Sequence, residues 1–277
     1  GADPAVLLYS GQDGTRIEGG LAASKTSSTV NALAFSADSK RLYVALQQAW
    51  TVLELDLATG ETRAFDAHTA GVTCVIALAD GTRMISGSRD HTIRCWDLEK
   101  SDTLWKADTG AEVLCLAVSP DGKRLYAGGR GASVRVYDLE AGTELGSSEV
   151  QRAYISALAA TKDGTRVYTA GDRGVVPVDA QTLSPLSEPL TGPTKGMFCV
   201  AVTDDGEWIT GGDADNGIWL WRKDEAKPWW FNTAAHAGPV HAVVLTPDAV
   251  EEEEEAGDTE EDAGGEGADE EGESEGG

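Results

Sequence analysis

Positive charge is scarce in this chain. Its 277 residues carry 22 Lys and Arg against 47 Asp and Glu, a formal charge of -25. That sign argues against direct nucleic-acid binding, because a phosphate backbone is held by a cationic field. Long apolar runs are absent too: no stretch reaches the roughly 18 residues of a membrane-spanning helix, and no signal peptide is visible. Neither a membrane span nor secretion is therefore expected. Histidine is limited to His68, His91, His236 and His241, which form no His-x-His or Glu-x-x-His cluster, so no metal site and no cofactor are expected. Sustained helical periodicity is missing as well.

What is present is a beat. Asp38, Asp80, Asp121, Asp163, Asp205 and Asp248 follow one another at intervals of 42, 41, 42, 42 and 43 residues. Each sits in a short turn such as Ser119-Pro120-Asp121-Gly122, flanked by β-branched runs of period two. Self-similarity at about 40–45 residues is the length of a four-stranded propeller blade, a unit that buries its faces only by stacking on neighbours. The expectation is an all-β β-propeller over residues 1–250, followed by an acidic disordered tail over 251–277. That tail holds fifteen Asp or Glu and no Lys or Arg, so it supplies -15 of the net charge and leaves -10 on the body. A block of this composition has too little apolar surface to offset its ordering entropy, and reads as a spacer or as a lure for basic partners.

Five complete repeats start near residues 29, 71, 112, 152 and 195. The segment from Ala5 to Ile17 aligns with the last two strands of a unit, and Val240 to Leu245 aligns with a first strand. Together they give a split sixth blade that lacks its second strand, because the acidic block begins where that strand is due. The chain also starts at Gly1 rather than methionine, so it reads as a piece of a longer propeller or a truncated product. Cys74, Cys115 and Cys199 each precede a marker aspartate by six residues, where the other units have Ala32, Ala157 and Ala242. They are small core residues of one strand position, not a metal or disulfide set; Cys95 lies alone in another strand. Unpaired thiols suit a reducing compartment.

The second unit reads His68-Thr69-Ala70-Gly71 and then Ile85-Ser86-Gly87-Ser88-Arg89-Asp90, ending on Trp96-Asp97. It resembles a WD repeat. The resemblance implies a structural hydrogen-bond chain of His68, Ser86, Asp90 and Trp96, and this reading is preferred to a hydrolase triad because its members recur at fixed phase with no oxyanion motif. Elsewhere the signature is worn. The third unit has Ala127, Gly131 and Tyr137, the fourth Thr169 and Val178, the fifth Thr210 and Trp221 with Asp213 or Asp215, and His236 precedes the last fragment.

By analogy with that family, the chain is expected to be a non-catalytic scaffold whose loops bind peptides or protein surfaces within a multiprotein complex. The turns between second and third strands carry Gln47, Arg89, Arg130, Arg173 and Asp213, and the arginines suit an acidic or phosphorylated peptide, the chain's own tail included. Trp229 and Trp230, beside Phe231 in an outer strand, are a second candidate for partner binding. The alternative is a metal-dependent hydrolase, since Arg41 to Ala45 with Thr51 to Gly60 is similar to repeats of lactonase-like propellers. A ubiquitin-ligase receptor is weakened by Glu99, where such receptors often carry arginine. Localisation is expected inside the cell, in cytoplasm or nucleus; acidic tails and degenerate repeats also occur in family members that serve ribosome assembly in the nucleolus.

Overall fold

The computed structural model describes residues 6–9, 13, 15–17 and 28–245. The chain divides into two units, Gly1–Thr246 and Pro247–Gly277, and the acidic stretch with its expected disorder lies outside the described residues. Every described element is a strand, and no helix is long and apolar enough to cross a membrane.

Four sheets have four antiparallel strands each. The first joins β3 (Val30–Phe35), β4 (Arg41–Leu46), β5 (Thr51–Asp56) and β6 (Thr62–Asp66), preceded in the chain by the short pair β1 (Leu8–Tyr9) and β2 (Arg16–Ile17). The second joins β7 (Val72–Ala77), β8 (Arg83–Ser88), β9 (Thr92–Asp97) and β10 (Thr103–Asp108); the third joins β11 (Val113–Val118), β12 (Arg124–Gly129), β13 (Ser133–Asp138) and β14 (Glu144–Glu149). The fourth has only β15 (Ile155–Ala160), β16 (Arg166–Gly171) and β17 (Gly174–Asp179), with Pro185 bridged to Val178 where an outer strand would run. The fifth is β18 (Met197–Val202), β19 (Trp208–Asp213), β20 (Ile218–Arg222) and β21 (Pro228–Asn232).

The marker aspartates close the hairpin between the first and second strands. In four of the five sheets a hydroxyl two residues earlier, from Ser36, Ser119, Thr161 or Thr203, donates to the aspartate and accepts the amide five residues on. The carboxylate also takes the amide two residues further, from Lys40, Thr82, Lys123, Thr165 and Glu207. Such side-chain bonds mimic a backbone turn, which is why Asp with Ser or Thr recurs here. The next position needs positive φ, supplied by Gly81, Gly122, Gly164 and Gly206 at 66–76° and by Ser39 at 58°.

Packing runs from each sheet to the next. The second strand of one sheet covers the first strand of its successor: Tyr43 and Ala45 meet Val72 and Val75, Ile85 meets Val113 and Leu116, and Tyr168 and Ala170 meet Met197 and Val200. Close approach needs small residues. A Cβ on Gly87 would fall 2.5 Å from Val113 and 2.7 Å from Cys74 Sγ; on Gly128 it would fall 2.6 Å from Ile155 and 2.9 Å from Cys115 Sγ. Cys74, Cys115 and Cys199 thus lie where the repeat places them, free and facing a glycine. Burial raises the Cys74 thiol to about 12 and those of Cys95 and Cys199 to about 11, leaving poor nucleophiles.

Candidate functional site

All five sheets carry an irregularity at the second residue of their first strand. Register shifts fall between Val30 and Ala32, Val72 and Cys74, Val113 and Cys115, Ile155 and Ala157, and Met197 and Cys199. A bulge of this kind turns one side chain away from the sheet's packed faces. The extra residues are Asn31, Thr73, Leu114, Ser156 and Phe198. With His241 they line one cavity of about 480 Å³, together with Arg89, Arg130 and Tyr154. First strands from all five sheets and the segment 240–245 therefore surround a common axis, and this cavity is its mouth.

Hydrogen bonds lock the bulges to adjacent sheets. Thr73 Oγ1 donates to the carbonyl of Val113 at 2.6 Å, Ser156 Oγ to that of Met197 at 2.5 Å, and Asn31 Nδ2 to that of Val72 at 2.7 Å. His241 stacks on Phe198 with ring centroids 5.0 Å apart. The mouth inverts the charge of the chain. Its lining includes two arginines and a histidine but no Asp or Glu. Arg130 lies over the Tyr154 ring at 6.0 Å, and Arg89 is exposed with no ion pair or side-chain hydrogen bond among the described residues.

The turn residues named from the sequence separate here. Arg89 and Arg130 reach the mouth. Gln47 sits behind it, its Oε1 accepting from Asn31 Nδ2 at 2.7 Å. Arg173 does not join them, which corrects the expectation of three arginines on one rim. Asp172, nine positions after Asp163, takes the place matching Arg89 and Arg130, which stand nine after Asp80 and Asp121, while Arg173 stands one position later. Arg173 points instead to the Val150 carbonyl and to Glu188. Asp213 is also withdrawn: it is 2% exposed, with its carboxylate accepting from Trp219 Nε1 at 2.6 Å and from the amides of Asp215 and Gly217. It is the last residue of β19 rather than a turn residue. Trp229 and Trp230 are 58% and 46% exposed on the edge strand β21, away from the mouth; Trp229 also meets Trp208 edge-on at 5.1 Å.

The second sheet shows the full hydrogen-bond chain. Trp96 Nε1 donates to Ser86 Oγ at 2.8 Å, Ser86 Oγ lies 2.8 Å from His68 Nε2, and His68 Nδ1 lies 2.8 Å from Asp90 Oδ2. An ionised Asp90 only accepts, so Nδ1 carries the proton and Nε2 accepts from the Ser86 hydroxyl. Burial disfavours the charged ring and lowers the His68 pKa against the pull of Asp90. For Asp90, burial opposes ionisation, yet bonds from Thr92, the Thr69 amide and His68 outweigh it and bring the pKa to about 2.

The match is to the family model described as WD domain, G-beta repeat, over residues 60–97, 100–138 and 184–222. The chain carries WD repeats. The first two matched WD repeats open near an outer strand of one sheet and close on the third strand of the next, so each repeat interlocks two sheets. Among curated proteins, the chain is 32% identical over 83 residues to mouse transducin-like enhancer protein 2 and, over the same length, to the Caenorhabditis elegans transcription factor unc-37. It is 35% identical over 51 residues to the Drosophila melanogaster protein groucho. These matches take in 30%, 30% and 18% of this chain but only 11%, 13% and 7% of those proteins.

The fourth and fifth sheets do not keep the tetrad. Gln151 occupies the position of His68 in the fourth sheet and binds Thr169 Oγ1, the carbonyls of Thr169 and Gly174, and the Arg173 amide. In the fifth, pairing of Cys199 with Gly212 puts Gly211 where Ser86 stands. Thr210 is therefore not the hydroxyl of a fifth tetrad; it donates to the Trp219 carbonyl, and Trp221 Nε1 donates to the Thr191 carbonyl.

Proposed function

We propose that this chain is a non-catalytic binding platform whose channel mouth captures an acidic or phosphorylated segment of a partner protein. The observation that carries the reading is the local reversal of charge: a cavity with Arg89 and Arg130 and no carboxylate, in a chain with more than twice as many acids as bases. Arginine forks suit carboxylates and phosphates, and a lone cationic patch on an anionic body also steers such ligands to one place. Tyr154 and Phe198 add flat apolar surface beside the charges. A serine-hydrolase reading of the Ser86, His68 and Asp90 set is less well supported, because Ser86 is fully buried with both partners engaged and cannot meet a substrate. A relative named as a transcription factor supports an intracellular, nuclear setting.

The test is binding of a fluorescent phosphothreonine peptide and its unphosphorylated twin. The double variant Arg89→Glu, Arg130→Glu is expected to lose at least about tenfold in affinity for the phosphorylated peptide, equal to about 1.4 kcal/mol. Arg173→Glu, at a residue turned away from the mouth, should bind as before. Undiminished binding by the double variant ends the proposal.

A further inference from the structure

A second cavity, larger than the mouth at about 590 Å³, opens between the first and second sheets. Arg41, Glu54 and Arg63 form its first-sheet wall, and Arg83, Asp97 and Glu99 stand on the second-sheet wall. It lies where first strands join second strands and third join fourth, the opposite strand ends from the turns that carry Arg89 and Arg130.

At the next three junctions an arginine closes this place. The arginine that opens a second strand reaches the turn after the third strand of the following sheet. Arg83 Nη1 donates to Glu140 Oε2 at 2.8 Å, Arg124 Nη1 donates to the Ala180 carbonyl at 3.1 Å, and Arg166 Nη1 lies 2.8 Å from Asp224 Oδ1. The Tyr126 hydroxyl adds a bond to the same Ala180 carbonyl at 3.0 Å. Arg41 and Tyr43 hold these phases in the first sheet, where the turn to be reached is Asp97-Leu98-Glu99. Neither bond forms there: Arg41 pairs only within its own sheet, and the buried Tyr43 hydroxyl bonds to no residue of that turn. The Glu99 carboxylate has no hydrogen bond or ion pair among the described residues.

Glu54 explains the gap. It stands beside the third residue of its second strand, a place held in the other four sheets by Cys95, Val136, Pro177 and Leu220. At 8% exposure it draws in both arginines of its wall, with Arg63 Nη2 at 2.8 Å and Arg41 Nη1 at 3.8 Å. An arginine held toward its own sheet does not clasp the next one. The first wall is left with two guanidinium groups for one carboxylate. On the facing wall Arg83 is taken by Asp80 and Glu140, and Asp97 is shared with Lys100, so Glu99 is the uncommitted charge. A purely anionic ligand would meet Glu99 and a purely cationic one the arginines, so complementarity selects a ligand of both signs.

We infer that this inter-sheet cavity binds a ligand carrying a carboxylate and a cationic nitrogen. The carboxylate sits against Arg41 and Arg63, the nitrogen against Glu99, and the carbon chain between them lies on Leu104, which is 51% exposed at the edge of the cavity. The ligand supplies the bridge that the next three junctions make internally. A free basic amino acid and an acidic residue beside a basic one in a partner chain both offer this chemistry.

Amide spectra of the full chain, recorded during titration, separate the two sources. The probes are lysine, its decarboxylated form cadaverine, acetyl-Glu-Lys-amide and acetyl-Glu-Gln-amide. Saturable shifts at Thr82, Glu99 and Leu104 with lysine assign a free amino acid, and with acetyl-Glu-Lys-amide a partner segment. In either case the single-charge twin, cadaverine or acetyl-Glu-Gln-amide, should bind at least about tenfold more weakly. Glu54→Leu installs the residue type that the fifth sheet has at this phase, frees Arg41 to reach Glu99 and should abolish the shifts. Glu99→Gln, at an exposed residue, should weaken binding about tenfold with the melting temperature unchanged, and it carries the test where Glu54→Leu fails to fold. Equal binding of the single-charge twins, no saturable shift with any probe, or undiminished binding by Glu99→Gln overturns the inference. So does a melting temperature lowered as much by Glu99→Gln as by Glu140→Gln, which breaks the Arg83 clasp, because Arg41 would then already hold Glu99.

Discussion

Ser86 joins one donor to one acceptor inside a site with no water access: its hydroxyl accepts from the Trp96 indole and donates to Nε2 of the His68 ring. Ser86→Ala strands both groups, so unfolding by urea should report a loss of about 3 kcal/mol. Protonating His68 has a related effect, since Nε2 then donates and the Ser86 hydrogen has nowhere to point. Both His68 and Asp90 have folded pKa values below their ordinary 6.5 and 3.8. Stability from such groups is complete above the ordinary value and lost as pH falls. The urea midpoint is therefore expected to drop as pH falls below 6.5 through His68, and again from 3.8 toward 2 through Asp90. A His68→Asn variant should flatten the first drop, and a wild-type midpoint that stays level from pH 7 to 5 contradicts the assignment. This quartet is legible in the sequence because all four members keep their residue types. Gln151 is not, since an amide standing in for an imidazole leaves no signature except its place four residues before Ile155.

Each element obeys the repeat more strictly than its side chains do. The bulge residues Asn31, Thr73, Leu114, Ser156 and Phe198, and His241 with them, all stand seven positions before a marker aspartate, yet they share no chemistry. Reading by residue type passes over them and leaves His241 looking isolated; reading by phase collects them. Phase also explains the misplaced arginine, because Arg89 and Arg130 stand nine positions after their marker aspartates whereas Arg173 stands ten after Asp163, at the phase of Asp90. Sheet contacts make glycine a hard requirement at a few of these phases. A side chain at Gly129 would overlap the Glu112 carbonyl, a backbone atom that cannot yield. Gly129→Ala is therefore expected to cost about 1–3 kcal/mol by urea denaturation, whereas Gly146→Ala, in the outer strand β14 with only a distant Leu183 methyl nearby, should cost less than about 1 kcal/mol.

Across the whole molecule, an even beat in the chain becomes a ring of sheets, and the ring gathers residues that are about 40 positions apart onto one rim. The period was enough to foresee the all-β architecture. It was not enough to foresee the site, whose charge depends on which side chain fills the first turn position of each sheet. The most direct measurement is amide exchange of the full chain with and without a bound phosphothreonine peptide. The account predicts slowed exchange at evenly spaced places, around Asn31, Thr73, Leu114, Ser156, Phe198 and His241, together with the turns of Arg89 and Arg130. Protection confined to β21 around Trp229 and Trp230, with the five bulges and His241 unchanged, would contradict it.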